Sequence, residues 1–91
     1  MNAHELLAAT QLVCGQIDNA LLTERQSTDR VLALVAEAQS SLDVSDRLRH
    51  ELTIVQSLVA LKRVQVALER FKTAILATVQ ADQRGWQQAY D

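Results

Sequence analysis

Proline is absent from this 91-residue chain, and glycine occurs only at Gly15 and Gly85. Tight turns and β-hairpins draw on those two residues for backbone angles that others resist. A chain without them has few places to turn. It can form long helices, and its abundance of Ala, Leu, Val, Gln and charged residues suits them. Apolar residues make up 48% of the chain, yet only Phe71, Trp86 and Tyr90 are aromatic. A disordered chain would be poorer in Leu, Val and Ile, and a β domain would need more turn chemistry. The predicted fold class is all-α.

Apolar positions in the first half step by threes and fours: Leu6, Val13, Ile17, Ala20 with Leu21, then Val31, Val35, Ala38 and Leu42. That is one face of a helix, predicted over about residues 3–39. Its weak point is Gln26-Ser27-Thr28-Asp29, where short polar side chains compete with the backbone and favour caps. The reading favours a continuous helix. A break would restart it with Ser27 or Thr28 as N-cap. Residues 40–46 (SSLDVSD) supply the interior turn, with Asp43 or Ser45 able to cap the next helix. A second helix is predicted over about 46–83, with Gly85 at its C′ position, Arg84 against the negative end of the dipole and a short tail over 84–91. A short link makes two such helices antiparallel neighbours. The predicted architecture is one domain, residues 1–91, built as a long antiparallel helical hairpin, or a three-helix bundle if the first helix breaks near Ser27.

The second helix carries more apolar surface than one neighbour can cover. One stripe reads Ile54, Leu58, Leu61, Leu68, Phe71 or Lys72, Ile75 and Val79; a second reads Leu52, Val55, Val59 and Val66. Together they exceed the ~100° that a single packing partner needs. The surplus predicts a second subunit, another protein, or a third segment of the chain. The residues assigned to partner binding are Leu52, Val55, Val59, Val66 and Phe71, and self-association through them would make a four-helix bundle. No sustained heptad with regular flanking charges accompanies the stripes, which argues against a simple long coiled coil.

A chain this short buries only about 60–65% of the surface its unfolded form exposes. Small domains often compensate with disulfides, metals or oligomerisation. Cys14 is the single cysteine, and Cys14, His4 and His50 lie too far apart in sequence for a structural zinc site. No metal or cofactor is expected, which leaves a protein partner or homo-oligomer. The lone cysteine, with no basic leader at the N-terminus, points to the cytoplasm. No membrane span is expected, because the richest apolar run, residues 52–61, is short and meets Lys62 and Arg63 at once. The first half carries a surplus of acids and the second a surplus of bases; the two arms should attract when folded together, and solvated charges are the alternative.

Individual residues offer little chemistry. His4 reads as a solvated terminal histidine, and His50 as a surface histidine pairing with Glu51 or Glu37. Cys14 lacks a basic neighbour in sequence and reads as a small hydrophobe. Gly15 costs a helix about 1 kcal/mol relative to alanine, so either another helix approaches closely there or the residue is tolerated drift. Lys62, Arg63, Arg70 and Lys72 cluster in the second helix, but the net charge of −2 and the interleaved Leu and Val do not make a nucleic-acid face. The segment Trp86 to Tyr90 is either a clasp folded over the core or an anchor for a partner.

Two resemblances bear on function. Gln16-Ile17-Asp18-Asn19-Ala20-Leu21-Leu22-Thr23-Glu24-Arg25 resembles part of the first helix of the all-helical chorismate mutases, in which Arg25 matches an active-site arginine. The chain departs from that family in having no Arg or Lys before Arg25 and Ala36 with Glu37 near where a lysine is needed. Residues 48–79 (LRHELTIVQSLVALKRVQVALERFKTAILATV) resemble the second helix of small helical-hairpin co-chaperones of type III secretion needle subunits in Gram-negative bacteria. That resemblance implies a cytoplasmic partner of an aggregation-prone secreted protein. The function expected is a non-enzymatic protein–protein interaction module, such as a secretion co-chaperone, a bacterial or phage regulator or an inhibitor. The alternatives are a small enzyme of the mutase type and a nucleic-acid-associated helical protein.

Overall fold

A computed structural model describes the backbone of residues 1–90 and the side chains of residues 1–82. The described chain is all-helical: α1 (Ala3–Asp18), α2 (Glu24–Ser41), α3 (Asp46–Ala60) and α4 (Val64–Tyr90). Both long helices of the expected hairpin are therefore broken, the first over residues 19–23 and the second over residues 61–63. The interior turn falls where the serine and aspartate cluster places it.

Three helices start on sequence-encoded caps. The Asn2 side chain accepts from the Glu5 amide at 2.8 Å, and the Glu5 carboxylate accepts from the Asn2 amide. Thr23 and Gln26 make the same reciprocal box at α2, at 3.1 and 2.9 Å. Ser45 caps α3 through the Leu48 amide at 3.2 Å. Each box satisfies N–H groups that a helix start leaves without intrahelical partners. The N-cap of α2 is thus Thr23, not Ser27 or Thr28. Ser27 lies one turn inside α2, buried, and returns its hydroxyl to the Thr23 carbonyl at 2.9 Å. A polar residue can sit in that core because its own backbone takes up its hydrogen bond.

The breaks at 19–23 and 61–63 share a device. Ala20 (φ 55°) and Lys62 (φ 62°) are left-handed. The Ala20 amide donates to the Ile17 carbonyl and the Leu21 amide to Gln16, and Lys62 and Arg63 repeat the pattern onto Val59 and Leu58. This paired closure of a helix C-terminus normally uses glycine, because a Cβ in the left-handed region costs roughly 1–2 kcal/mol. Here alanine and lysine occupy the position, so composition gives no sign of either turn. The expected C′ glycine, Gly85, lies inside α4, which runs on to Tyr90. The side chains of Trp86 to Tyr90 lie outside the described residues.

The helices pack in a ring. α1 meets α2 and α4, α3 meets α2 and α4, and α2 also touches α4 across the centre, while α1 and α3 do not approach each other. The buried side chains form one core from Leu6 and Val13 of α1, Val31, Leu34, Val35 and Ala38 of α2, Leu48, Leu52, Val55 and Val59 of α3, and Val64, Ala67, Leu68, Phe71 and Ile75 of α4. Gly15 marks no close approach, since a Cβ there would meet nothing within 4 Å. Among the described residues, no ion pair joins α1 or α2 to α3 or α4. Among the described residues, Glu51–Arg70 at 2.9 Å joins α3 to α4 within the basic half, Asp46–Arg49 is local, and the Met1 ammonium lies 3.9 Å from Glu37.

Candidate interaction surface

The residues assigned to a partner resolve into two groups. Leu52, Val55, Val59 and Phe71 are buried in the chain's own core, whereas Val66 is 44% exposed. The helix break explains the difference. Leu48, Leu52, Val55 and Val59 recur sixteen positions later as Val64, Leu68, Phe71 and Ile75, all of them buried. Sixteen residues are about four and a half helical turns, so on one straight helix the two sets would face nearly opposite ways. Folding back at residues 61–63 turns both sets inward, and the chain fills from within the seat that the second stripe reserved for a partner. The stripes as grouped from sequence mixed the sets: Leu61 is 69% exposed at the turn and Ile54 and Leu58 are half-buried.

What stays open beside that core is a groove of about 750 Å³ between α3 and α4. Ala74, Ala77 and Ala81 line it with Leu48, Val66, Thr73 and Thr78. On α4 these positions step by threes and fours beside the buried Phe71, Ile75 and Val79, which gives a strip of small side chains next to the core face. Arg47, Glu51, Glu69 and Arg70 stand along it, and Asp43 and Asp82 lie at the end near the α2–α3 turn. Arg70 is engaged, its Nε donating to Glu51 at 2.9 Å. That bond and the guanidinium charge hold the Glu51 carboxyl below its ordinary pKa. Acids outnumber bases in the lining, so the apolar strip has a mildly acidic border. Of the residues assigned to a partner, only Val66 lies on this surface, because alanines spaced along a helix look like helix formers rather than a binding face.

A smaller groove of about 350 Å³ lies at the other end, where Ile17 and Leu22 meet Lys62, Arg63 and Val64. The four basic residues grouped in sequence do not share a face. Lys62 and Arg63 belong to the turn, Arg70 reaches α3, and Lys72 lies half-buried near Cys14 of α1. Burial raises the Cys14 thiol pKa, with Lys72 pulling the other way, so the neutral thiol is favoured at neutral pH. His4 and His50 are exposed, and neither joins an ion pair among the described residues. Among those residues no three His, Cys, Asp or Glu side chains converge as a metal site. No described helix is long and apolar enough to cross a membrane.

The mutase-like segment Gln16 to Arg25 is not one helix: α1 ends at Asp18 and α2 begins at Glu24, so Arg25 does not continue the face of Ile17. Residues 48–79, likened to one helix of the needle co-chaperones, form two. The chain matches no protein-family model, no curated protein and no solved structure.

Proposed function

We propose that this protein is a non-enzymatic interaction module that takes a helical segment of another protein into the groove between α3 and α4. The observation that carries this reading is the strip of Ala74, Ala77 and Ala81 lying open beside Leu48 and Val66. Small side chains let a second helix approach to the ~8–10 Å axial separation of packed helices, and they leave room for larger partner side chains to insert as anchors. The acidic border favours a partner with an apolar face flanked by Lys or Arg. Such contacts at the rim steer association and select partners more than they add affinity. A co-chaperone, a regulator or an inhibitor could each work through such a surface.

The test is a groove-filling substitution. Ala77→Arg places a long charged side chain on the floor and should abolish partner capture from an extract of the source cells, with helicity and melting temperature preserved. Leu32→Arg, exposed on α2, should leave capture intact. If the captured proteins are the same for wild type, Ala77→Arg and Leu32→Arg, the groove is not the binding surface.

A further inference from the structure

We propose that α1 is an exchangeable element: the α1–α2 turn straightens, and α1 of one copy takes, in a second copy, the place between α2 and α4 that it fills here. Reciprocal exchange gives a two-chain dimer in which each core is rebuilt from the same side chains.

Phase decides which turn can do this. Val13 and Ile17 recur eighteen positions later as Val31 and Val35, and eighteen residues are five whole helical turns. A helix running straight from Ala3 to Ser41 would therefore keep its two apolar stretches on one face, with Glu24, Ser27 and Thr28 as a polar interval between them. Two such helices crossing antiparallel about a twofold axis place both cores on the same side of the pair, which requires the two halves of each helix to face the same way. The α1–α2 halves meet that condition. The α3–α4 halves do not, being close to half a turn out of phase, so exchange of α4 is excluded on the same ground.

Three local features favour opening at residues 19–23. Ala20 is held left-handed at φ 55°, and straightening releases that strain. Ala20, Leu21 and Leu22 are competent helix formers with no glycine or proline among them. Leu21 is 69% exposed in the closed chain; on the straightened helix it flanks the stripe at the crossing point, where the twofold sets it beside its own copy. In addition, α1 makes no approach to α3, so releasing it leaves the contacts among α2, α3 and α4 in place. The Thr23–Gln26 box opposes opening, because a straight helix has no N-cap there. Strained short hinges of this kind are a recognised route to swapped dimers.

The exchange leaves the α3–α4 groove unchanged, so it stands apart from the role proposed for that groove, and the chain alone suffices to test it. Light scattering over a range of concentrations should show a monomer–dimer equilibrium. A mixed dimer of isotope-labelled and unlabelled chains should show NOEs between α1 and α4 that are intermolecular. Ala20→Gly fits the closed turn and weakens the straight helix at both hinges, so dimer dissociation should rise on the order of 10²- to 10⁴-fold. Thr23→Ala removes the cap that holds the turn and should tighten the dimer roughly thirtyfold. Wild type and Thr23→Ala both monomeric up to millimolar concentration, even after refolding at that concentration, would overturn the proposal. A dimer with only intramolecular α1–α4 NOEs, or one indifferent to Ala20→Gly, would overturn it equally.

Discussion

Two turns at the same end of the molecule reverse the chain by one backbone device, yet they are encoded in opposite ways. The α1–α2 turn has its instructions in side chains: Asn19 Nδ2 donates to the Gly15 carbonyl at 2.8 Å, and Thr23 and Gln26 cap the start of α2. Its flanking apolar stripes are in phase, so periodicity runs through it without a mark. The α3–α4 turn has no such instructions. Arg63 accepts the first backbone bond of α4, from Ala67, but has no side-chain oxygen with which to cap. Its mark is the half-turn jump in phase between Val59 and Val64. A turn can thus be specified locally, by satisfying helix ends, or globally, by making the straight helix unable to bury both of its faces.

The comparison is broken most sharply by two substitutions that look equivalent on the sequence stripe. Val59→Glu places a carboxylate in the core and should cost about 3–5 kcal/mol, seen as loss of the cooperative transition in urea. Val66→Glu, exposed, should stay within about 0.5 kcal/mol. Equal effects would mean that residues 52–66 form one continuous face after all.

The next test concerns the caps. Thr23→Ala should lower stability by about 1 kcal/mol, whereas Arg63→Ser supplies α4 with the missing acceptor and should raise it by about 0.5–1 kcal/mol. Chemical denaturation of the two variants reads both signs. Next in size are the left-handed positions. Ala20→Gly and Lys62→Gly should each stabilise the monomer by about 0.5–1 kcal/mol, relief of strain exceeding the extra freedom glycine has when unfolded. The interior Gly15→Ala should give a similar gain by the opposite route, because Gly15 is helical with open space at its Cβ.

The smallest effect is electrostatic. Glu51 has a folded-state pKa below its ordinary value, owing first to the Arg70 hydrogen bond. A depressed carboxylate adds stability above its unfolded pKa and loses it as pH falls through the folded value. Because the pair is partly open to solvent, Glu51→Gln should cost under about 1 kcal/mol at neutral pH. The difference from wild type should fade on acidification below the ordinary glutamate range, measured as melting temperature against pH.

These contrasts show which parts of the fold were legible. The scarcity of glycine and proline and the apolar spacing carried the all-α class, and Ser45 carried the start of α3. The Thr23-Glu24-Arg25-Gln26 capping box was also readable, but the in-phase stripe across it outweighed the local signal. The phase jump after Val59 is visible as two stripes, which call for a second subunit, another protein or a third segment of the chain. The same surplus is met by the chain folding back on itself, because periodicity states which residues need covering and says nothing of what covers them. The groove was illegible for a related reason. Ala74, Ala77 and Ala81 have the same spacing whether they are packed or open, and only the position of α3 leaves them uncovered.

By itself the sequence determined the helical class, three of the helix starts and most of the apolar core, with Leu61 and Val66 as exceptions left in water, since these depend on backbone propensity, capping and apolar spacing within a few turns of chain. The tertiary structure alone decided that Ala20 and Lys62 turn left-handed and that the two stripes of residues 48–79 face each other. It also decided which strip of α4 stays open. A left-handed alanine or lysine is unfavourable in any local accounting and persists only because the turn it makes brings four helices onto one core.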